Sequence, residues 1–326
     1  MFKKKVENIL VIKADGLAAF VAAEPSFEAI RKAHDGAQIS LLTQAHLQRV
    51  ARASPYFDQV AGLPGLRDAE ARSVLVKQLK ATKFSCVYDL AGNEESRRLQ
   101  TAMGPFGPKW FSAGPAVRNN KKRRHVEDFV PNTDKVFATA GVAVPERLPD
   151  FQWALSARKD SANMQPSWFG ISGAFGLLMP GATSERRWSA ERYGELARKM
   201  AQNGMMPVLI GQKEIHDFGD EVSHHAPEIV DLTGKTDHLQ LVALAQEAAF
   251  FVSDTAEEVH LAVSVGCAGV LIKKQGEESL SPSGRHVMTL TAAGQLDEAD
   301  AEFVWRSLDN MGLIPRESLT ASARVR

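Results

Sequence analysis

The sequence predicts an α/β fold of two doubly wound, parallel-sheet domains, and three observations lead there. Strand-like and helix-like segments alternate from the first residues, the order that covers both faces of a parallel sheet with helices. The alternation lapses once, between residues 145 and 172, and then resumes. A length of 326 residues with 44% hydrophobic content suits two cores better than one.

In the first half, "NILVIK" is a continuous apolar run and predicts a buried strand over 8–13. "EPSFEAIRKAH" follows as a helix, "AQISLLT" as a second strand, "QAHLQRVARAS" as a helix, and "FDQVAGL" and "FSCVYDL" as further short strands. The stretch "PERLPDFQWALSARKDSANMQPSWFGIS" carries three prolines and no sustained period, as a crossing between domains does. We therefore expect domains at 1–160 and 161–326.

The second half repeats the pattern. "FGLLMP", "MPVLIG", "IVDLTG", "AFFVSD" and "AGVLIK" read as strands. Helices are expected over 190–202, in "EIHDFGDEVSHHA", "LQLVALAQEA" and "EEVHLAVSVG", and last in "LDEADAEFVWRSLDNMG". That last helix has the option of packing back on the N-terminal domain. In such sheets ligands sit beyond the carboxyl ends of the strands, so candidate site residues lie just after them, in a cleft between the two domains.

Bulk chemistry narrows the partners. Lys plus Arg and Asp plus Glu both total 39, so no global field draws the chain to nucleic acid or to an anionic membrane. Cys86 and Cys267 lie far apart in apolar segments, which reads as two buried thiols in a reducing compartment and gives no metal-ligand spacing. The apolar run near the N-terminus, 9–12, is too short for a signal-peptide core or a membrane span. The expectation is a cytoplasmic protein with peripheral contact to the inner face of the membrane. A dinucleotide oxidoreductase is set aside because no Gly-x-Gly-x-x-Gly follows the first strand.

The stretch "LLMPGATSERRWSAERYGELARKM" concentrates chemistry. A strand ends in Pro-Gly, hydroxyls follow, and a helix begins near Ala190, which presents backbone N–H groups where an anion can bind. Arg186 and Arg187 add charge suited to a diphosphate, and Trp188 packs the loop or faces a ring. The alternative is a solvated basic loop over a buried Trp.

The pattern "MPGATSERRWSAERYGELA" resembles the Pro-Gly-Ala, Lys/Arg-x-Trp, Glu-Arg-aromatic signature of glycosyltransferase family 9, the heptosyltransferases of bacterial lipopolysaccharide cores. "ILVIKADGL", "EPSFEAIRKAHDGAQISLLT", "VYDLAGNEESRRLQTAMG", "VLIGQKEIHD", "IVDLTGKTDHLQLVALAQEAAFFVSD" and "HLAVSVGCAGVLI" resemble the family's other segments in order. The resemblance implies a GT-B fold and lipopolysaccharide biosynthesis. It implies inverting, metal-independent transfer from a nucleotide sugar, ADP-heptose, with no cofactor.

By that resemblance Gly181, Ala182 and Thr183 form the donor-binding loop after the first strand of the second domain, Arg186 meets the donor phosphates, Glu214 the ribose, and the segment 232–236, ending at Thr236, the adenine. In "SDTAEEVHL" the family's Asp-Thr-Gly is departed from: Thr255, Ala256 and Glu257 stand there, or Asp254 and Thr255 with a one-residue shift, while His260 matches. A carboxylate at a helix start opposes a diphosphate. In the first loop Ala18 and Ala19 replace the family's Gly-Asp, so the expected general base is absent at its own position. Asp15 is the nearest substitute and Glu24 a weaker one. The run Lys121, Lys122, Arg123, Arg124 reads as a solvated loop, or, in a family with anionic glycolipid acceptors, as a patch for them. Two functions stand: an active heptosyltransferase-type enzyme, and an inactive relative acting as a binding or assembly protein.

Overall fold

A computed structural model describes residues 6–64, 68–113, 133–156, 161–183, 187–254, 256–276, 282, 284 and 286–315. The chain divides into two compact units, Met1–Ala157 and Arg158–Arg326.

The N-terminal unit runs β1 (Asn8–Lys13), α1 (Leu17–Ala22), α2 (Glu24–Ala33), β2 (Gln38–Thr43), α3 (Gln48–Ala53), β3 (Gln59–Gly62), α4 (Ala69–Thr82), β4 (Cys86–Asp89), α5 (Glu94–Met103), β5 (Lys109–Ser112), α6 (Thr133–Ala140) and α7 (Gln152–Ser156). Its five strands are all parallel, in the order β3-β2-β1-β4-β5. The apolar run of β1 is central, and residues 9–13 are all buried, as a strand covered on both faces requires. At the edge, β3 alternates half-buried and exposed residues.

A buried carboxylate pins the unit's last segment. Glu24, fully buried, receives Arg147 Nη1 at 2.6 Å, Arg147 Nη2 at 2.8 Å, the Asp150 N–H at 3.1 Å and the Tyr56 hydroxyl. Its oxygens are thereby engaged in holding residues 147–150, so Glu24 is a structural anchor and not the weaker proton acceptor considered above.

The C-terminal unit runs β6 (Phe175–Met179), α8 (Ala190–Gln202), β7 (Met206–Leu209), α9 (His216–His225), β8 (Val230–Asp231), α10 (His238–Glu247), β9 (Phe251–Ser253), α11 (Val259–Ser264), β10 (Gly269–Lys274), β11 (Val287–Ala292) and α12 (Ala301–Asn310). Six parallel strands are ordered β11-β10-β9-β6-β7-β8. Trp188, Tyr193, Leu196 and Met200 of the α8 region pack with Leu178, Phe250 and Val252 in one apolar cluster. The last helix belongs to this same cluster through Val304, Trp305 and Leu308. Its apolar face therefore lies in the C-terminal core.

Cys86 and Cys267 are both free and buried, each 7% exposed. Burial pushes the Cys86 thiol up to about 11 and that of Cys267 up to about 12, so both stay protonated at neutral pH, and the thiolate is the reactive form. We expect no thiol titrated by an aromatic disulfide reagent in the folded protein at pH 8, and both titrated in denaturant. Rapid labelling of either in the native state would contradict this packing.

Candidate functional site

In the N-terminal unit, polar residues gather after the central strands. Lys13 ends β1 and is only 3% exposed. Its Nζ donates to Asp15 Oδ2 at 2.8 Å and to the Leu90 carbonyl at 3.4 Å. The carboxylate is thus oriented by a buried ammonium, while Asp15 Oδ1 has no hydrogen-bond partner among the described residues. That oxygen is itself buried, an unpaired acceptor held next to the carboxyl end of β1. Ala18 and Ala19 lie in α1, half-buried, and bring no such group.

Next to this loop, Asp89 at the end of β4 is wholly buried. It accepts from the Gly92 N–H at 2.8 Å, Ser96 Oγ at 2.9 Å and Ser112 Oγ at 2.7 Å. Gly92 sits at φ 57°, a left-handed conformation glycine adopts without steric cost, and Asn93 caps α5 through the Ser96 N–H at 2.9 Å. The "DLAGN" segment is therefore a rigid turn organised by a carboxylate turned inward.

In the C-terminal unit the loop after β6 is held by Asp254, 1% exposed. Its Oδ1 accepts from the Gly181 N–H at 2.6 Å; its Oδ2 accepts from the Trp188 N–H at 2.9 Å and the Tyr193 hydroxyl at 3.1 Å. Asp254 thus shapes the loop that would meet the donor and points both oxygens into the protein. Trp188 is fully buried, donates Nε1 to the Ala299 carbonyl at 2.8 Å, and stands edge-on to Tyr193 with ring centroids 5.1 Å apart. Of its two expected roles it takes the packing one.

Arg187 folds back as well. Nε donates to the Gly181 carbonyl at 2.7 Å and Nη2 to the Ala182 carbonyl at 2.8 Å, with the guanidinium 4.3 Å from the centre of the Phe218 ring. It braces the loop from within. Ala182 and Thr183 are exposed beside it. Arg186, Thr255, Lys121, Lys122, Arg123 and Arg124 lie outside the described residues.

Glu214 is exposed on the short turn Lys213–Ile215 that follows β7. Thr236 is half-buried just before α10, which Asp237 caps through the Leu239 N–H at 2.8 Å and the Gln240 N–H at 3.1 Å. His260 lies in α11, 8% exposed, its N–H bonded to the Glu257 carbonyl at 3.1 Å. These residues share the carboxyl-end rim of the β6, β7, β8 and β9 strands.

Glu258 is the residue that sequence reasoning missed. Glu257 is exposed, whereas Glu258 is 8% exposed and precedes α11 directly. Burial is the main cause that raises its carboxyl above the usual range. A side-chain hydrogen bond from Gln212 opposes the shift, and the charges of Glu257 and Glu214 reinforce it. A carboxyl raised in the fold destabilises the protein once ionised. Full stability is therefore present below the unfolded carboxylate range and is lost as pH rises through the higher folded value. Glu258→Gln is expected to unfold at the same temperature as wild type near pH 4 and at a higher one at pH 8; parallel thermal melts check it, and a lower value at pH 8 would refute it.

Two all-parallel α/β units, each with polar residues on the loops after its strands, have the architecture of GT-B glycosyltransferases. The chain belongs to glycosyltransferase family 9 (heptosyltransferase), whose family model matches residues 72–270, more than half of the sequence. Among solved structures it is similar to a family 9 glycosyl transferase from Veillonella parvula DSM 2008, at 18% identity over 95% of this chain and 98% of that one, with a TM-score of 0.72. It is likewise similar to E. coli ADP-heptose lps heptosyltransferase II, at 16% identity over 93% and 98%, with a TM-score of 0.74. E. coli heptosyltransferase WaaC with ADP matches at 14% identity over 93% and 99%, with a TM-score of 0.70. No curated protein matches the sequence. Among the described residues, no helix is long and apolar enough to cross a membrane.

Proposed function

We propose that this chain transfers heptose from ADP-heptose to an anionic glycolipid, the lipopolysaccharide core or a related bacterial glycan, by an inverting reaction that needs no metal. The observation that carries the reading is family membership together with an oriented carboxylate, Asp15, on the loop after β1. One solved relative, E. coli heptosyltransferase WaaC, is described both with ADP and with ADP-2-deoxy-2-fluoro heptose, which supports an adenine donor.

The chemistry asks for two things. The departing diphosphate needs charge stabilisation from groups already in place. The rigid 181–183 loop, held from beneath by Asp254 and Arg187, offers backbone and Thr183 hydroxyl donors for it, with Arg186 adding charge. The acceptor hydroxyl must lose a proton as it attacks the anomeric carbon, and Asp15 takes it. Glu214 and the 232–236 segment serve the ribose and adenine, and His260 the diphosphate. The basic run 121–124 attracts the acceptor's anionic groups, at the cytoplasmic face of the membrane.

A second reading is favoured by specific residues: Ala19 has no proton-accepting group, and Glu258 adds a buried carboxyl beside the expected donor site. It makes the chain an inactive relative that binds without transfer. Calorimetric titration with ADP, UDP and ADP-heptose, with and without Mg²⁺, followed by a transfer assay, separates the two. Metal-independent adenine binding with turnover supports the enzyme; binding without turnover supports the inactive relative; no binding of any of the three overturns the donor site.

A further inference from the structure

We infer that the corner between β8 and α9 is a binding site for a divalent transition-metal ion of zinc type, built from His216, Asp220 and Asp231. The site adjoins the 232–236 segment proposed to meet the adenine, through Thr233, but the inference does not rest on that reading. His216 and Asp220 are one helical turn apart on α9, a spacing that puts both side chains on one face. Asp231 ends the edge strand β8 and meets that face from the sheet. One ligand atom from each of the three lies within 4.8 Å of the other two. Small side-chain rotations bring such a set to the roughly 2.0–2.2 Å bonds that zinc forms with nitrogen and carboxylate oxygen.

Three further observations make this more than a group of surface charges. Thr233, 3% exposed, touches both a histidine and a carboxylate of the set. Its Oγ1 donates to Asp231 Oδ1 at 2.8 Å and lies 3.3 Å from His216 Nδ1. The Thr233 N–H holds the same Oδ1 at 2.8 Å. A hydroxyl and an amide that orient the ligands are what an outer shell supplies in metal sites.

Gly219 lies under this arrangement: a Cβ there would come within 2.9 Å of Thr233 Oγ1 and 3.2 Å of Asp231 Oδ1. Only a residue without a side chain lets α9 approach so closely. Finally, Asp220 makes no hydrogen bond or ion pair among the described residues, while standing near a second carboxylate. Two anions held together repel, and a divalent cation removes that cost.

One imidazole nitrogen with two carboxylate oxygens suits a borderline ion such as Zn²⁺ better than Mg²⁺ or Ca²⁺, which prefer all-oxygen cages. Asp231 Oδ2 makes a long ion pair with Lys235 Nζ, at 3.8 Å and beyond a normal hydrogen bond, which leaves its lone pairs for a cation. With three protein ligands the ion keeps at least one water.

The test is a zinc titration of the chelator-stripped full chain against a competing indicator, repeated with Mg²⁺ and Ca²⁺, and with Co²⁺ followed by its visible absorption. One zinc ion is expected to bind, with Co²⁺ showing a nitrogen- and oxygen-ligated spectrum. Affinity should weaken by about 10- to 100-fold in Thr233→Val, and more in His216→Ala and Asp220→Ala. The two ligand residues are exposed, and circular dichroism verifies that the variants remain folded. No zinc binding by wild type, undiminished binding in His216→Ala, or preference for Mg²⁺ or Ca²⁺ would each overturn the assignment. Thr233 lies in the 232–236 segment proposed to meet the adenine, so ADP affinity is measured beside zinc in every variant: lost ADP binding with intact zinc binding would overturn the donor reading alone, and the reverse the metal site alone.

Discussion

Replacing Asp15 by Asn is expected to lower kcat for heptose transfer by about 10²- to 10⁴-fold, the usual contribution of a positioned base, while leaving ADP affinity unchanged. Asn is the informative substitution because Lys13 is buried and donates to Asp15 Oδ2 at 2.8 Å. An amide oxygen keeps that hydrogen bond, so the loop retains its shape and only the proton acceptor is lost. Asp15→Ala would also remove Lys13's ion-pair partner, leaving the buried ammonium with the Leu90 carbonyl at 3.4 Å and mixing destabilisation into the kinetics.

The double variant Asp15→Asn, Ala19→Asp sharpens the result. Ala19 lies four residues beyond Asp15, inside α1, at the position where the family resemblance expects its base. Partial recovery of turnover in the double variant would show that the departure at Ala19 had moved the base two positions after Lys13. Unchanged turnover in Asp15→Asn alone would remove Asp15 from the mechanism, and loss of ADP affinity would make its role structural.

The strands with the strongest patterns were legible in the sequence because burial on both faces leaves an unbroken apolar run: β1 and β6 are buried along nearly their whole length. The 190–202 helix was legible because Ser189 caps it and its apolar positions recur on one face. The helix α4 was not, since it buries only Leu75 and Leu79 and its composition reads as a solvated stretch. The edge strand β5 has only four residues, and both it and the six-residue edge strand β11 are partly exposed, so no clean period marks them.

For the site, what could be read was which loops carry chemistry. What could not be read was the direction in which each side chain points. Asp254 and Arg187 both carry charge beside the donor loop, and both turn inward to hold its backbone. Their partners include groups 61 to 73 residues away in the chain for Asp254, a pairing with no local pattern. Glu257 and Glu258 are adjacent and chemically identical, and only the register of α11 decides which is buried. The zinc-type cluster likewise joins a helix face to a strand end across an intervening turn, and only the fold brings Asp231 to His216.

Asp254→Ala is expected to destabilise the C-terminal unit by about 4 kcal/mol, because a buried charged acceptor disappears and its donors are left unsatisfied. Those donors are the Gly181 N–H, the Trp188 N–H and the Tyr193 hydroxyl, all buried, so water does not readily replace the lost partner. For a unit of this size the loss corresponds to a Tm lower by about 10 °C. Asp254→Asn tests the account more closely, since it preserves volume. Its single carbonyl oxygen can serve either the Gly181 side or the Trp188 and Tyr193 side, and its NH₂ then faces a donor on the other. Asn should therefore recover less than half of the alanine loss. Donor affinity should fall in both variants along with stability, because the 181–183 backbone loses the anchor that sets its position. Thermal unfolding measured beside ADP titration decides the point. Wild-type stability with lost ADP binding would mean that the carboxylate meets the ligand directly, and wild-type values of both would mean that the loop is held by Arg187 and Trp188 alone.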